Sequence, residues 1–190
     1  TAAFTIAESG GATTVTEAGG TDTFTVVLDA EPTSDVVLSV VSGDPGEATV
    51  SVSAVTFTPG NWSTPQTVTV TGVEEAVDDG NQSTAITVGV VDASSDNGFD
   101  PLADQTVTVT TTDDDTAAFT IAESGGGTSV TEAGATDTVT IVLDAEPTSD
   151  VVLSVVSGDP GEATVSVSAL TFTPRNWDTP QTFTVTGVDD

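Results

Sequence analysis

The chain has no histidine, cysteine or methionine, and Arg175 is its only basic side chain. Without imidazole or thiolate groups, the sequence excludes ordinary zinc and copper sites and Cys- or His-based catalysis. One arginine cannot neutralise phosphates, which excludes nucleic acid and anionic membrane surfaces as partners. There is no run of 18 apolar residues, so we expect no membrane insertion. The sequence does not open with a leader-like segment, and we expect it to be a piece of a longer protein.

Acidic residues dominate the charge of the chain. It carries 30 aspartates and glutamates, and its formal net charge is −29 over 190 residues. The available metal ligands are therefore oxygen atoms, which suit hard cations such as Ca²⁺ or Mg²⁺.

Threonine and valine make up the strand-forming part of the composition. There are 38 Thr and 30 Val residues, both β-branched, and 36% of the chain is hydrophobic. High net charge can indicate disorder, but the apolar residues alternate with polar ones over short runs, which is typical of half-buried strands. No stretch has helical periodicity.

The sequence repeats itself at an offset of 115 residues. Residues 1–75 match residues 116–190, and 64 of these 75 positions are identical. One repeat has the size of a β-sandwich domain. We therefore predict a complete domain at 1–115 and a second repeat at 116–190 that stops after its fifth strand. The second repeat is either truncated or completed by another chain, since an open sandwich exposes sheet edges.

Seven strands are predicted in the first repeat, and their turn-punctuated spacing indicates an immunoglobulin-like antiparallel β-sandwich. They are strand A at 2–7, B at 21–28, C at 36–42, D at 55–58, E at 66–73, F at 85–91 and G at 105–111.

Strand parity places ten carboxylates at one end of this sandwich, here named the acidic pole. Strands A, C, E and G all end there because successive strands alternate in direction. No lysine or arginine is present to relieve the repulsion, which is about 1 kcal/mol per close pair in water. Bound cations could reduce this repulsion. We rank Ca²⁺ as the first candidate because its coordination is flexible, and Mg²⁺ as the second. The ten residues are Glu8, Asp44, Glu47, Glu74, Glu75, Asp78, Asp79, Asp113, Asp114 and Asp115.

Several stretches resemble the Calx-β domain, a calcium-binding sandwich of sodium/calcium exchangers and bacterial surface proteins. They are Phe-Thr-Ile-Ala-Glu at 4–8, Val-Thr-Glu-Ala-Gly at 15–19, Thr-Phe-Thr-Pro-Gly at 56–60, the acidic loop 74–79, and Val-Thr-Val at 107–109 leading to the triple Asp. The resemblance implies that the calcium ligands are Glu8, Glu74, Glu75, the Ala76 carbonyl, Asp78 and Asp113–Asp115.

Two positions depart from the pattern of that family. The stretch 43–49 differs from the usual one, which leaves open whether Asp44 or Glu47 is the ligand, and Asn81 stands where the family often has an acid. The predicted ligands of the second repeat are the counterparts Glu123, Asp159, Glu162, Asp189 and Asp190.

Two further features have structural and functional interpretations. Trp62 and Trp177 lie in the D–E loops and either close one end of the sandwich or stack on a sugar, of which we favour the first. The F–G loop at 92–100 lacks EF-hand spacing, so we expect a solvated turn.

The sequence therefore predicts a Ca²⁺-binding structural repeat, a stalk, extender or fibre segment of a secreted or cell-surface adhesin-type protein. Ca²⁺ would stiffen the joint between neighbouring repeats, and the partners would be other repeats of the chain or copies of it. We expect no enzymatic activity. A calcium-sensing regulatory module and a carbohydrate-binding module are the alternatives, and a glycan target lacks support in the sequence.

Overall fold

The structure is a computed structural model that describes residues 1–189. The chain divides into two compact units. Unit 1 comprises Thr1–Glu75 and Asp79–Asp114, and unit 2 comprises Ala76–Asp78 and the residues from Asp115 onward. The short segment Ala76–Asp78 thus belongs to the first repeat in sequence but to unit 2 in space. Within the described residues, no helix has the length and apolar character needed to cross a membrane.

Nine strands build unit 1, arranged in two sheets. The four-stranded sheet has the order β1-β3-β7-β5, and the five-stranded sheet has the order β2-β9-β8-β4-β6. The strands are β1 Phe4–Glu8, β2 Thr13–Thr16, β3 Thr21–Leu28, β4 Val36–Ser42, β5 Ala48–Val50, β6 Ala54–Phe57, β7 Gln66–Gly72, β8 Gln82–Val90 and β9 Gln105–Thr112.

Alternating apolar residues from both sheets form the core of unit 1. On β3, for example, Phe24, Val26 and Leu28 are buried while the intervening residues are only partly so. Each such side chain contributes about 1.5–3 kcal/mol when fully buried. The opposite face of the same strand carries threonines, which pair with the threonines of β7. The predicted all-β antiparallel sandwich is confirmed.

All seven predicted strands are present in unit 1, and two short strands, β2 and β5, are additional. Strand β2 forms because the chain leaves the first sheet after β1 and crosses to the second. The crossing uses a 3-10 turn at Ser9–Gly11, where Gly10 and Gly11 have φ values of 64° and 86°. Glycine adopts this left-handed region without steric cost. Strand β2 then pairs with β9 in parallel, an exception to the antiparallel pattern.

Gly72, at the end of β7, permits β2 to approach closely. A Cβ atom at this position would clash with the backbone carbonyl of Thr16 and would also crowd Val15. The Gly72 N–H donates a hydrogen bond of 3.0 Å to the Gly20 carbonyl. The absence of a side chain at Gly72 therefore lets the end of β2 pack closely against the opposite sheet.

The described part of unit 2 contains six strands in sheets of order β10-β11-β15-β13 and β12-β14. Their pairing repeats the register of the first repeat, so Phe119 lies opposite Leu143 as Phe4 lies opposite Leu28. In the described part of unit 2, no strand occupies the place that β8 and β9 take in unit 1. The strands are β10 Phe119–Glu123, β11 Thr136–Leu143, β12 Val151–Ser154, β13 Ala163–Val165, β14 Ala169–Phe172 and β15 Gln181–Gly187.

Candidate metal centre

The segments that follow β2, β4, β7 and β9 meet at one end of unit 1. The Val73 N–H donates to the Glu47 carbonyl at 3.0 Å, which joins the segment after β7 to the loop after β4. The Gly80 N–H donates to Asp113 Oδ2 at 2.6 Å, which joins the loop after β7 to the residue after β9. These contacts place the acidic loops together, as strand parity predicts.

Glu17 is the most deeply buried carboxylate at this end. Its side chain is 0% exposed, and neither Oε1 nor Oε2 has a hydrogen-bond partner among the described residues. The residue follows β2 directly, on the same inward-facing register as Thr13 and Val15, which are also buried. A buried charge without hydrogen bonds is strongly unfavourable, so this carboxylate requires a proton or a cation.

Glu17 faces two other carboxylates, and the three form a group we call the carboxylate cluster. Glu17, Glu75 and Asp79 each offer one oxygen, and these oxygens lie within 4.8 Å of one another. Glu75 is half-buried and Asp79 is exposed, so the cluster reaches from the interior to solvent. All donors are oxygen atoms, which are the ligands that Ca²⁺ and Mg²⁺ prefer.

The electrostatics of the cluster disfavour negative charge. Burial raises the pKa of the Glu17 carboxyl to about 7, and the negative charges of Asp113, Glu75, Glu47 and Asp79 add to this increase. The sequence contains no lysine, arginine or histidine in residues 1–174 that could offset these charges. The donor set therefore fits a divalent cation, which would supply the missing positive charge.

An acidic cleft of about 500 Å³ opens beside the cluster and is lined by Asp44, Glu47 and Asp79. Burial raises the pKa of Glu47, and the charges of Asp79 and Asp44 contribute to the increase. The Oε2 atom of Glu47 is buried and has no hydrogen-bond partner in the described chain. Asp44 is more exposed, and its Oδ1 accepts a hydrogen bond of 3.0 Å from the Gly46 N–H. Of these two candidate ligands, Glu47 thus has the free buried oxygen.

The other predicted ligands of the first repeat lie in different surroundings. Glu8 accepts a hydrogen bond of 2.9 Å from the Thr13 hydroxyl and is not a member of the cluster. Glu74 and Asp114 are exposed. Asp113 is half-buried beside Glu17, whereas Asp115 belongs to unit 2.

Ala76 and Asp78, predicted as neighbouring ligands in one loop, both make contacts inside unit 2. The Ala76 carbonyl accepts a hydrogen bond of 2.6 Å from the Glu146 N–H. Asp78 Oδ2 accepts one of 2.6 Å from the Ala117 N–H. Their role as metal ligands stays a prediction.

The predicted ligands of the second repeat remain mostly exposed. Glu123 accepts a hydrogen bond of 3.1 Å from the Thr128 hydroxyl, and Asp159 accepts one of 3.0 Å from the Gly161 N–H. Glu162 and Asp189 are exposed, and Asp190 lies outside the described residues. Glu132, the counterpart of Glu17, is also exposed.

Sequence reasoning missed Glu17 as a site residue, although a signal was present. Glu17 follows Thr13 and Val15 at period two, and a carboxylate in register with a buried valine points inward. The sequence places this segment directly before Ala-Gly-Gly, which favours a turn and hides the strand. The burial itself depends on β9, which lies far away in sequence.

The two other candidate sites have structural explanations. Trp62 is half-buried and packs against the core of unit 1, and its carbonyl accepts a hydrogen bond of 3.2 Å from the Leu28 N–H. Trp177 packs equivalently in unit 2. In the β8–β9 loop, Asp96 Oδ2 accepts hydrogen bonds of 2.6 Å from both the N–H and the hydroxyl of Thr33, so this carboxylate clamps a loop.

No protein-family model and no curated protein matches the chain. One similar solved structure is the apo form of the Calx CBD1 domain, with a TM-score of 0.40 and 15% identity over 59% of this chain and 98% of that chain. The calcium-binding domain CBD12 of CALX1.1 gives a TM-score of 0.44 and 15% identity over 96% and 79% of the two chains. Domains 5–6 of the S-layer protein SbsC give a TM-score of 0.38 and 19% identity, over 100% of this chain and 86% of that chain. Because these TM-scores are below 0.5, the likenesses carry no conclusion about this chain.

Proposed function

We propose that unit 1 binds Ca²⁺ at the carboxylate cluster of Glu17, Glu75 and Asp79. The observation that carries this proposal is the Glu17 side chain, which is 0% exposed and has no hydrogen-bond partner in the described structure. No cationic side chain occurs in the first 174 residues, so neither a salt bridge nor a hydrogen bond satisfies it. A bound divalent cation would convert this unfavourable burial into coordination.

Each part of the site has a distinct task. Glu17 is held by the backbone at the end of β2, and it presents a preformed ligand from the interior. Glu75 and Asp79 belong to the segment after β7, so they close over the ion from the solvent side. Asp113 is kept close by its hydrogen bond with the Gly80 N–H and adds negative potential. Ca²⁺ suits this mixture of fixed and loop ligands better than Mg²⁺, which demands strict octahedral geometry.

We further propose that the protein is a structural repeat of a secreted or cell-surface assembly. Two nearly identical repeats follow each other without a spacer. Such an array favours a structural role, in which the repeats set the length of the protein and display its other parts. Ca²⁺ bound next to Asp113 would neutralise part of the acidic pole and stiffen the joint to the next repeat. The sequence stretches that resemble Calx-β domains, among them the acidic loop 74–79, support this interpretation.

Calcium titration of the metal-stripped chain tests the binding. Isothermal calorimetry should show at least one Ca²⁺ site, with Mg²⁺ binding more weakly. Ca²⁺ at 100 times its Kd should stabilise the chain by about 2.7 kcal/mol, because an ion that binds only the folded state acts by mass action. Equal melting curves in EDTA and in millimolar Ca²⁺, together with no binding heat, would contradict the proposal.

A further inference from the structure

The β8–β9 loop contains the one Asn-Gly pair of the sequence, Asn97 followed by Gly98. Both residues are exposed, so water reaches the Asn97 side chain. An asparagine before glycine cyclises easily, because no side chain shields the next backbone nitrogen and glycine lets the backbone bend toward the amide. The other asparagines all precede larger residues; they are Asn61, Asn81 and Asn176.

Asn97 and Gly98 occupy the two central positions of a tight turn. The Phe99 N–H donates a hydrogen bond of 2.8 Å to the Asp96 carbonyl, which closes the turn around them. Phe99 is 3% exposed and belongs to the core of unit 1. The turn therefore connects two exposed residues directly to a buried anchor of the domain.

The Asp96 carboxylate holds the backbone nitrogen that a cyclisation of Asn97 would use. Its Oδ1 accepts a hydrogen bond of 2.8 Å from the Gly98 N–H. Its Oδ2 accepts bonds from the β3–β4 loop, at 2.6 Å from both the N–H and the hydroxyl of Thr33 and at 3.1 Å from the Ser34 N–H. A nitrogen that donates to this anchored carboxylate is hindered from losing its proton and from turning toward Asn97 Cγ.

We propose that Asn97 is a site of spontaneous deamidation and that the Asp96 carboxylate sets its rate by holding the Gly98 N–H. In the reaction, the Gly98 nitrogen gives its proton to solvent and bonds to Asn97 Cγ. The bond from Cγ to the side-chain nitrogen breaks, and this nitrogen takes up a proton from water and leaves as ammonia. Water then opens the resulting succinimide at either carbonyl, which gives aspartate or isoaspartate. No oxidant, reductant or enzyme takes part.

The reaction in the folded chain requires the β8–β9 loop to open locally. The observed rate is then the rate of the open loop multiplied by the fraction of time that the Gly98 N–H is released. A free peptide of the loop lacks Thr33 and Ser34, so nothing anchors Asp96 there. The peptide therefore reacts at the rate of the open loop.

The modification alters both the charge and the length of the turn. Either product places a second negative charge beside Asp96. Isoaspartate also carries the main chain through the side-chain carbon, which adds one backbone atom between Asp96 and Phe99. The hydrogen bond that closes the turn should then be lost, and Phe99 should be held less firmly in the core. The deamidated domain should therefore unfold more easily than the original one.

Timed incubation of the full 190-residue chain, followed by peptide mapping in a mass spectrometer and an isoaspartate methyltransferase assay, tests the proposal. Asn97 should convert, whereas Asn81, which is also exposed but precedes glutamine, should convert at least tenfold more slowly. A synthetic peptide of residues 92–100 should convert Asn97 about tenfold faster than the folded chain, because a charge-assisted hydrogen bond has to open in the folded chain first.

Two variants test the role of the carboxylate. Asp96→Ala should raise the rate at Asn97 to nearly that of the peptide and leave the rate at Asn81 unchanged. Thr33→Val removes one donor to Asp96 but keeps the bond from the Gly98 N–H, so it should raise the rate by a smaller factor. This second variant keeps the test available if Asp96→Ala does not fold.

Asn97→Gln is the matched control, because it keeps an exposed amide while its longer side chain disfavours the ring closure. Its melting temperature should stay constant through the incubation, whereas that of the wild-type chain should fall as Asn97 converts. The proposal is overturned if the folded chain and the peptide convert at the same rate. It is also overturned if neither Asp96→Ala nor Thr33→Val accelerates the conversion.

Discussion

The backbone N–H of Glu17 donates a hydrogen bond of 3.1 Å to the carbonyl oxygen of Thr112. This bond joins the residue after β2 to the last residue of β9 and so continues their parallel pairing by one residue beyond β2. It fixes the start of the turn that follows Glu17 and keeps the side chain turned into the domain. The candidate ligand therefore depends on a strand that is distant in sequence.

Replacing Glu17 with glutamine should have opposite effects on the stability of the metal-free and the Ca²⁺-bound chain. At pH 8, above its pKa of about 7, Glu17 is ionised and buried. The neutral amide removes that charge and can donate to Glu75 or Asp79. We expect Glu17→Gln to be more stable than wild type in EDTA by about 1–3 kcal/mol, the cost of an unsatisfied buried group. The variant should also lose most of the stabilisation by Ca²⁺, which chemical denaturation can measure.

Glu132→Gln provides the matched control, because Glu132 is the same position of the repeat but is exposed. This variant should behave like wild type in EDTA and in Ca²⁺. If Glu17→Gln retains the full response to Ca²⁺, the carboxylate cluster is not the metal site.

Gly72→Ala should push β2 away from β7. The added methyl group meets the Thr16 carbonyl, and backbone atoms cannot move aside as a flexible side chain can. We expect a loss of about 3 kcal/mol in the free energy of unfolding, at the upper end of overpacking costs. The Ca²⁺ affinity should also fall, since β2 positions Glu17.

Gly60→Ala is the control for the glycine substitution. The nearest atom to a Cβ there is Thr58 Oγ1 at 3.7 Å, an ordinary contact, and the second repeat has Arg175 at this position. Its stability should stay within about 0.5 kcal/mol of wild type, as for ordinary surface substitutions. A Gly72→Ala protein as stable as this control would show that β2 does not need the close approach.

Asp96 in the β8–β9 loop should make the stability of unit 1 depend on pH in the acidic range. Hydrogen bonds from the Thr33 hydroxyl and from the N–H groups of Gly98 and Thr33 lower the pKa of Asp96 to about 2, from 3.8. The stabilisation is therefore complete above pH 3.8 and disappears as the pH falls through about 2. Asp96→Asn should lower the melting temperature at pH 6, and its difference from wild type should vanish near pH 1.5. A melting-temperature difference that stays constant over this pH range would contradict a stabilising role of the Asp96 hydrogen bonds with Thr33.

The joint between repeats gives a prediction for solution scattering. Without metal, like charges repel at the acidic pole, and Ca²⁺ should narrow the distribution of interatomic distances in small-angle scattering. The double variant Asp113→Asn and Asp114→Asn should lack this response in Ca²⁺. A double variant of the exposed Asp35 and Asp92, which removes the same charge elsewhere, should retain it. Identical wild-type profiles with and without Ca²⁺ would contradict a mechanical role.

The sequence predicts the strands well because period-two alternation is local. Strands β3 and β4 have the predicted bounds, Thr21–Leu28 and Val36–Ser42. The short strands β2 and β5 were missed because glycine and proline flank them and because pairing with distant strands creates them. Strand parity predicts that the acidic loops lie at one end, and hydrogen bonds join the loops after β4, β7 and β9 there, whereas Glu8 is paired with Thr13.

Which carboxylates bind the metal is harder to predict from the sequence than which end of the domain is acidic. The carboxylate cluster includes Glu75, whereas Glu8 is engaged by Thr13. Glu17 escaped prediction because its burial requires β9 and Gly72 to pack around it. A linear sequence does not reveal which of many acids loses its water.

The contrast between Glu17 and Glu132 has a consequence for stoichiometry. The two glutamates occupy the same place in nearly identical repeats, yet one is 0% exposed and the other faces solvent. Counting sequence motifs would assign one site to each repeat, whereas among the described residues the enclosed geometry occurs where β9 covers β2. In a tandem array, the number of ions bound should therefore follow the number of closed sandwiches and not the number of repeats. Metal content per chain would then measure how many domains in an assembly are complete.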